Sequence, residues 1–112
     1  MAITLDDSTG KAVTVQAGES ANVEVLFSFA GVAIVKASLV TLTVTLYDRN
    51  AQTIINGRNA QNVLDANNGV VATDGTLTLR LGPLDNVIVG TLAVGTVQTH
   101  VAKFTWTWTD GV

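Results

Sequence analysis

Polar and apolar residues alternate most regularly over residues 99–108, close to the end of the chain. In an extended segment, one face of this stretch carries His100, Ala102, Phe104, Trp106 and Trp108. The opposite face carries mainly threonine, with Lys103 as its single charge. A period of two residues is typical of a β-strand with one buried and one solvent-facing side. We therefore predict a strand here that forms the centre of a small β core, with both tryptophans on its buried face.

The same alternation predicts further strands. Residues 21–29, 39–48 and 76–81 each place apolar side chains at every second position, as half-buried strands do. Shorter candidate strands lie at residues 12–16, 52–55, 69–72 and 87–91, and residues 3–5 are predicted to form an edge strand. Residues 32–35 are apolar and ambiguous. The predicted core residues lie on the apolar faces of the long strands: Val25, Phe27, Leu42, Val44, Leu77, Leu79, Phe104 and Trp106.

The remaining segments are typical of turns. Residues 50–73 are crowded with Asn, Gly, Gln and Asp, which favour turns, and one helical turn is predicted near residues 62–64. About seven short strands separated by frequent turns indicate an antiparallel β-sandwich, with a closed barrel as the alternative. Residues 27–46 are long enough to cross a bilayer as a helix. The alternation of Thr41, Thr43 and Thr45 with apolar residues favours a sheet strand there instead.

Composition narrows the possible functions. A chain of 112 residues is predicted to be one domain, residues 1–112, and it has no cysteine for a disulfide or thiolate site. The six basic residues are scattered, so we expect no nucleic-acid partner. The beginning of the chain lacks the features of a secretory signal. We expect synthesis in the cytoplasm of the cell that makes the protein.

Candidate chemistry is sparse. The only histidine, His100, is predicted to point into the core, where a hydrogen-bonded structural role is the usual one for such a residue. Asp65, Asp74 and Asp85 are considered as a calcium corner at one end of the sandwich, but no calcium-loop motif supports it. We expect no catalytic residue, no cofactor and no bound metal.

The outward faces of the predicted strands are uncharged over long stretches. They carry seven threonines, and only Glu24, Arg80 and Lys103 interrupt them. Interface cores are depleted in charge, whereas a free monomer normally keeps more charge on its surface. We therefore predict contacts with other subunits through a sheet face or the edge near the last strand, with the 50–73 loop as an adaptable contact. The candidate interface residues are Asp6, Asp7, Thr43, Thr105 and Thr107.

One resemblance extends over roughly residues 39–108. It runs through Leu46-Tyr47-Asp48, the Asn-rich loop, residues 75–81 and residues 83–86. Its most distinctive elements are Thr99-His100-Val101-Ala102 and the following Phe104 to Trp108. This pattern resembles the small immunoglobulin-like β-sandwich virion proteins of tailed bacteriophages.

The resemblance implies an immunoglobulin-like sandwich and a structural role as a head decoration or cement protein, or as a neck or tail component. It implies contacts with other virion proteins, such as major capsid or neck subunits, a homo-oligomer, no membrane and a location in the virion. Chains of this family usually continue into a further strand, whereas this one ends four residues after Trp108. That difference leaves open how the sheet is closed beside the last strand, where an exposed flat edge would invite pairing with another chain. The alternatives are a carbohydrate- or host-surface-binding module of a tail fibre or adhesin, and a small hydrolase.

Overall fold

The computed structural model describes residues 2–6, 12–29, 32–90 and 97–109. A single turn of 3-10 helix, Lys36–Ser38, precedes the longest continuous run of strand in the first half of the chain. The strands of the described residues are β1 (Ala2–Asp6), β2 (Ala12–Gln16), β3 (Ala21–Leu26), β4 (Ser28–Phe29), β5 (Val32–Ala33), β6 (Leu39–Asp48), β7 (Gln61–Asn62), β8 (Gly69–Val71), β9 (Thr76–Leu81) and β10 (Val97–Trp108).

These strands form an all-β sandwich. One sheet has the order β2-β1-β10-β6-β7, the facing sheet has the order β3-β9-β8, and β4 and β5 form a separate two-stranded ribbon. The predicted β-sandwich is thus confirmed, with eight strands in its two main sheets rather than about seven. Two distinct sheets replace the alternative of one closed barrel. No helix of the described residues has the length and apolar character needed to span a membrane.

The last long strand, β10, lies in the middle of the five-stranded sheet. It pairs antiparallel with β6 on one side and parallel with β1 on the other, from Ala2 opposite Val97 to Asp6 opposite Val101. On the β1 side this pairing ends at Val101, so no strand of the described residues lies beside residues 102–108 of β10 there. The β1–β10 pairing is parallel, whereas the other pairings are antiparallel as predicted. Residues 3–5 lie in a strand, but not in an edge strand, because β2 flanks β1 on its other side.

The core lies between the two main sheets. The predicted core residues that are buried are Val25, Phe27, Leu42, Val44, Leu77, Leu79 and Phe104. Trp106 is only partly buried and packs against the ring of Phe27, with 4.7 Å between ring centroids. Trp108 is 41% exposed, so its predicted place in the core is wrong. It is the last residue of β10 and lies next to the register shift that follows Thr107.

Local irregularities explain other departures from the predicted elements. The predicted strand 21–29 is interrupted at Phe27, which remains buried. In β6 both Val40 and Thr41 are exposed and Leu39 is buried, because the register with β10 shifts beside Thr107 and Trp108. Such a bulge moves one residue to the other face.

Several predictions for the loop segments are wrong. The predicted helical turn at residues 62–64 is wrong, since Gln61–Asn62 pairs with β6 as a short strand. Residues 52–55 contribute only a single bridge, between Tyr47 and Ile54. Residues 87–90 form no strand, and residue 91 lies outside the described part of the chain. Residues 69–71 form β8, as predicted for 69–72.

Candidate functional site

The outer face of the five-stranded sheet is rich in threonine, and we call its β6 and β10 part the threonine face. Directly opposite pairs cross the two strands: Thr43 faces Thr105, and Thr41 faces Thr107. Further out, Thr4 of β1 lies between Thr99 of β10 and Thr14 of β2. The residues of the threonine face are Thr41, Thr43, Thr45, Tyr47, Val97, Thr99, Val101, Lys103, Thr105 and Thr107.

Several hydroxyls of the threonine face are held by hydrogen bonds. The Oγ1 atoms of Thr41 and Thr107 lie 2.6 Å apart, and Thr43 Oγ1 donates to the Thr105 carbonyl at 3.4 Å. The Ala60 N–H donates to Thr45 Oγ1 at 2.9 Å. Each hydroxyl has one donor and two acceptor positions, so these contacts orient the side chains and leave capacity for an outside partner.

The threonine face carries less charge than the outer face of the three-stranded sheet. Lys103 is the only charged residue in the threonine face as defined above. The other sheet presents Glu24 opposite Thr78 and Arg80 opposite Asn22, beside the exposed Leu26 and Val70. The threonine face is thus the broad charge-poor surface of the described residues, and the opposite face is mixed.

The predicted interface residues divide between described and undescribed parts of the chain. Thr43, Thr105 and Thr107 come together on the threonine face. Asp6 ends β1, where its backbone pairs with Val101 and Ala12. Asp7 lies outside the described residues.

A buried ion pair that the sequence analysis did not identify joins the Asn-rich loop to the turn after β9. Arg58 Nε lies 2.6 Å from Asp85 Oδ1, and a second guanidinium nitrogen donates to Asp85 Oδ2 at 3.1 Å. Both residues are almost wholly buried, at 4% and 2% exposed. The only signal in the sequence was an arginine inside an Asn-rich segment whose single other charged residue is Asp65, and such an arginine is ordinarily solvated.

Neighbouring groups complete this pair, and we call the set the loop lock. The remaining guanidinium nitrogen donates to Gln61 Oε1 at 2.8 Å and to the Asn67 carbonyl at 3.2 Å. The Asn56 amide and the Gly82 N–H donate to the Asp85 carboxylate, each at 2.9 Å. Burial on its own raises the pKa of Asp85, but the hydrogen bonds from Arg58, Asn56 and Gly82 outweigh it and lower that pKa. The loop lock therefore has a structural role, with both charges satisfied.

The single histidine is part of a second buried polar group. His100 is fully buried, and its Nε2 lies 2.6 Å from Gln98 Oε1. The Gln98 side chain also accepts from the Val89 N–H and donates to the Val89 carbonyl, each at 2.8 Å. Gln98 thereby holds the 87–90 segment against β10 much as a neighbouring strand would.

Two atoms of this region have no hydrogen-bond partner: His100 Nδ1 and Asp48 Oδ1. Their residues lie directly opposite each other in the β6–β10 pair. Burial lowers the pKa of His100, against an opposing effect of the Asp48 charge. Burial therefore favours the neutral imidazole, which has no exposed surface.

The three aspartates considered for calcium bind other partners. Asp65 pairs with Lys36 at 2.7 Å, Asp74 accepts from the Thr76 N–H at 3.0 Å, and Asp85 belongs to the loop lock. Within the described ranges, no group of three or more His, Cys, Asp or Glu residues is placed to hold a metal ion. The three aspartates considered as a calcium corner therefore do not come together among the described residues.

Of these features, the loop lock and the Gln98–His100 group are directed into the protein, and the threonine face is directed outward. Of the three, the threonine face is the one that presents its polar groups at the surface. Comparison with known proteins found no match of any kind: no family model, no curated protein and no solved structure matches the chain.

Proposed function

We propose that this protein is a non-enzymatic structural component of a tailed-phage virion, either a head decoration or cement protein or a neck component. In this proposal the threonine face packs against neighbouring virion subunits. The observation that carries it is the uninterrupted width of the face, in which only Lys103 is charged. The resemblance of residues 39–108 to phage sandwich proteins is the reason for proposing a tailed-phage virion as the assembly.

The physical case rests on the cost of removing a face from water. Burying an unpaired charge costs much free energy, whereas burying a hydroxyl costs little when it forms a hydrogen bond in the interface. The Thr41–Thr107 and Thr43–Thr105 contacts hold the side chains of Thr41, Thr43 and Thr107 in place before binding, which reduces the ordering cost of association. Many copies on a repeated lattice then sum weak contacts into firm attachment.

A paired charge substitution tests this proposal. Thr43→Lys with Thr105→Lys places two positive charges at the centre of the threonine face, opposite each other. We expect the double variant to fold and to lose occupancy on particles, as measured by electron microscopy of virions grown with it. Normal occupancy of a folded double variant would refute the threonine face as the contact.

A matched control lies on the other sheet. Thr76→Lys with Thr78→Lys puts the same charges on the outer face that already carries Glu24 and Arg80. We expect this variant to load normally. If it fails to load while the first double variant loads normally, the interface belongs to the three-stranded sheet.

A carbohydrate- or host-surface-binding module is the second candidate, and one observation favours it. Trp108 is 41% exposed at the end of β10, and an exposed aromatic ring is a suitable platform for a sugar. Glycan-array binding by the purified protein that is lost in Trp108→Ala, together with normal loading of the Thr43 and Thr105 variant, would favour this candidate over the first.

A further inference from the structure

The chain contains two Asn-Gly pairs, Asn56-Gly57 and Asn68-Gly69. Both asparagines have positive φ angles, 53° and 72°, a conformation that asparagine tolerates better than most residues. Glycine after asparagine leaves the following backbone nitrogen unhindered, because it has no side chain beyond its α-carbon. That nitrogen can attack the side-chain amide carbon, which is why such pairs are chemically labile.

The structure gives the two pairs different reactivity. Gly69 is buried, its N–H donates to the Ala66 carbonyl at 2.9 Å, and it is packed against Val63. Gly57 is exposed, with open space where a side chain would begin. None of the described residues accepts a hydrogen bond from the Gly57 N–H. The attacking nitrogen is therefore free at Asn56 and engaged at Asn68.

We propose that Asn56 is a site of spontaneous deamidation that releases the loop lock. In the reaction, the Gly57 backbone nitrogen bonds to the Asn56 side-chain carbon, loses its proton to solvent base, and expels the amide nitrogen as ammonia. Water then opens the resulting succinimide to aspartate or isoaspartate. The net change consumes one water, releases one ammonia and needs no enzyme.

The position of Asn56 gives this modification a structural consequence. Its Nδ2 donates to Asp85 Oδ1 at 2.9 Å, so the product places a carboxylate where a donor had been. Arg58 has no further nitrogen to offer, since Asp85, Gln61 and Asn67 already occupy its guanidinium. The new carboxylate then lies beside the buried Asp85, and two carboxylates compete for one cation. The loop lock weakens, and the Asn-rich loop opens at lower cost.

The rate difference is tested on the purified full chain. We expect peptide mass spectrometry after prolonged incubation in mildly alkaline buffer to show conversion at Asn56 several-fold faster than at Asn68. Equal rates, or faster conversion at Asn68, would overturn the proposal. Incubation in denaturant is the control, because an unfolded chain removes the protection of Gly69 and should bring the two rates together.

The consequence for the loop lock is tested by substitution. Asn56→Asp copies the aspartate product, and Asn68→Asp is its matched control, with the same chemical change at a similar positive φ. We expect a clear drop in melting temperature for Asn56→Asp, and faster hydrogen exchange in the Asn-rich loop, with little change for Asn68→Asp. A melting temperature equal to that of the unaltered protein in both variants would disprove release of the loop lock. These outcomes do not depend on the proposed virion function.

Discussion

Replacing Arg58 by methionine leaves the buried Asp85 carboxylate with two donors, the Asn56 amide and the Gly82 N–H. The substitution removes a positive charge and the hydrogen bonds at 2.6 and 3.1 Å, while it keeps an unbranched apolar side chain of similar reach. Removing one partner of a buried ion pair costs roughly 3–5 kcal/mol, because the other charge stays buried without compensation. We expect Arg58→Met to lose this much free energy of unfolding.

A second ion pair in the same protein provides a comparison for this loss of stability. Lys36 and Asp65 also form an ion pair, at 2.7 Å, but their side chains are 42% and 43% exposed. An exposed pair contributes about 0–1 kcal/mol, so Lys36→Met should be nearly neutral. A small domain has a total stability of about 5–15 kcal/mol. Arg58→Met therefore removes a large share of it, although the two pairs have almost the same length.

Urea unfolding followed by tryptophan fluorescence measures both variants. A double-mutant cycle with Asp85→Asn measures the interaction between the two side chains, because the doubly substituted protein buries no unpaired charge. Its loss of stability should be smaller than the sum of the two single losses. The reasoning is refuted if Arg58→Met is no less stable than Lys36→Met, or if the two single losses simply add.

Further substitutions test the core, the histidine and the turns. Phe27→Ala should lower the free energy of unfolding by roughly 3–5 kcal/mol, as for other buried aromatic residues. Trp108→Ala should lower it by about 0.5 kcal/mol or less, because that side chain is partly exposed. Chemical denaturation of the two variants compares these losses. Burial lowers the pKa of His100, so only the unfolded chain gains its proton as the pH falls below 6.5, and stability should fall there by at most about 1.4 kcal/mol per pH unit. His100→Gln should flatten this pH dependence in unfolding curves, and an unchanged slope would contradict the assignment. Gly75→Ala should destabilise strongly, because φ is +95° and the new methyl group meets the Ile34 carbonyl, whereas Gly82→Ala meets nothing; equal melting temperatures would argue against this.

The long strands were predictable because their periodicity is a local property. Residues 39–48 and 76–81 form β6 and β9 within the predicted limits. A strand with one buried face must alternate, and this requirement makes Thr43 and Thr105 outward on their own strands. The pairing of β6 with β10, which brings them together on the threonine face and leaves Thr76 and Thr78 on the other sheet, is not a local property.

Other features depend on contacts between distant segments, and no local pattern encodes them. Arg58 and Asp85 lie 27 residues apart, and each by itself is typical of a solvated loop residue. The exposure of Trp108 depends on how it packs at the end of β10, and the alternation of polar and apolar residues in β10 does not predict that packing. The bulge at Val40 shifts a face by one residue, and an alternating sequence gives no sign of it.

The parallel pairing of β1 with β10 has a consequence for the order of folding. Its five register pairs join residues 2–6 to residues 97–101, so they close one of the largest loops available to this chain, and pairings of such long range form slowly. During synthesis β1 and β2 are made first, and a two-stranded hairpin is only marginally stable alone. The open side of β1 must therefore wait for β10. The β1 strand of one copy could pair with β10 of another copy through the same five register pairs, so we expect strand-exchanged oligomers when the protein folds at high concentration.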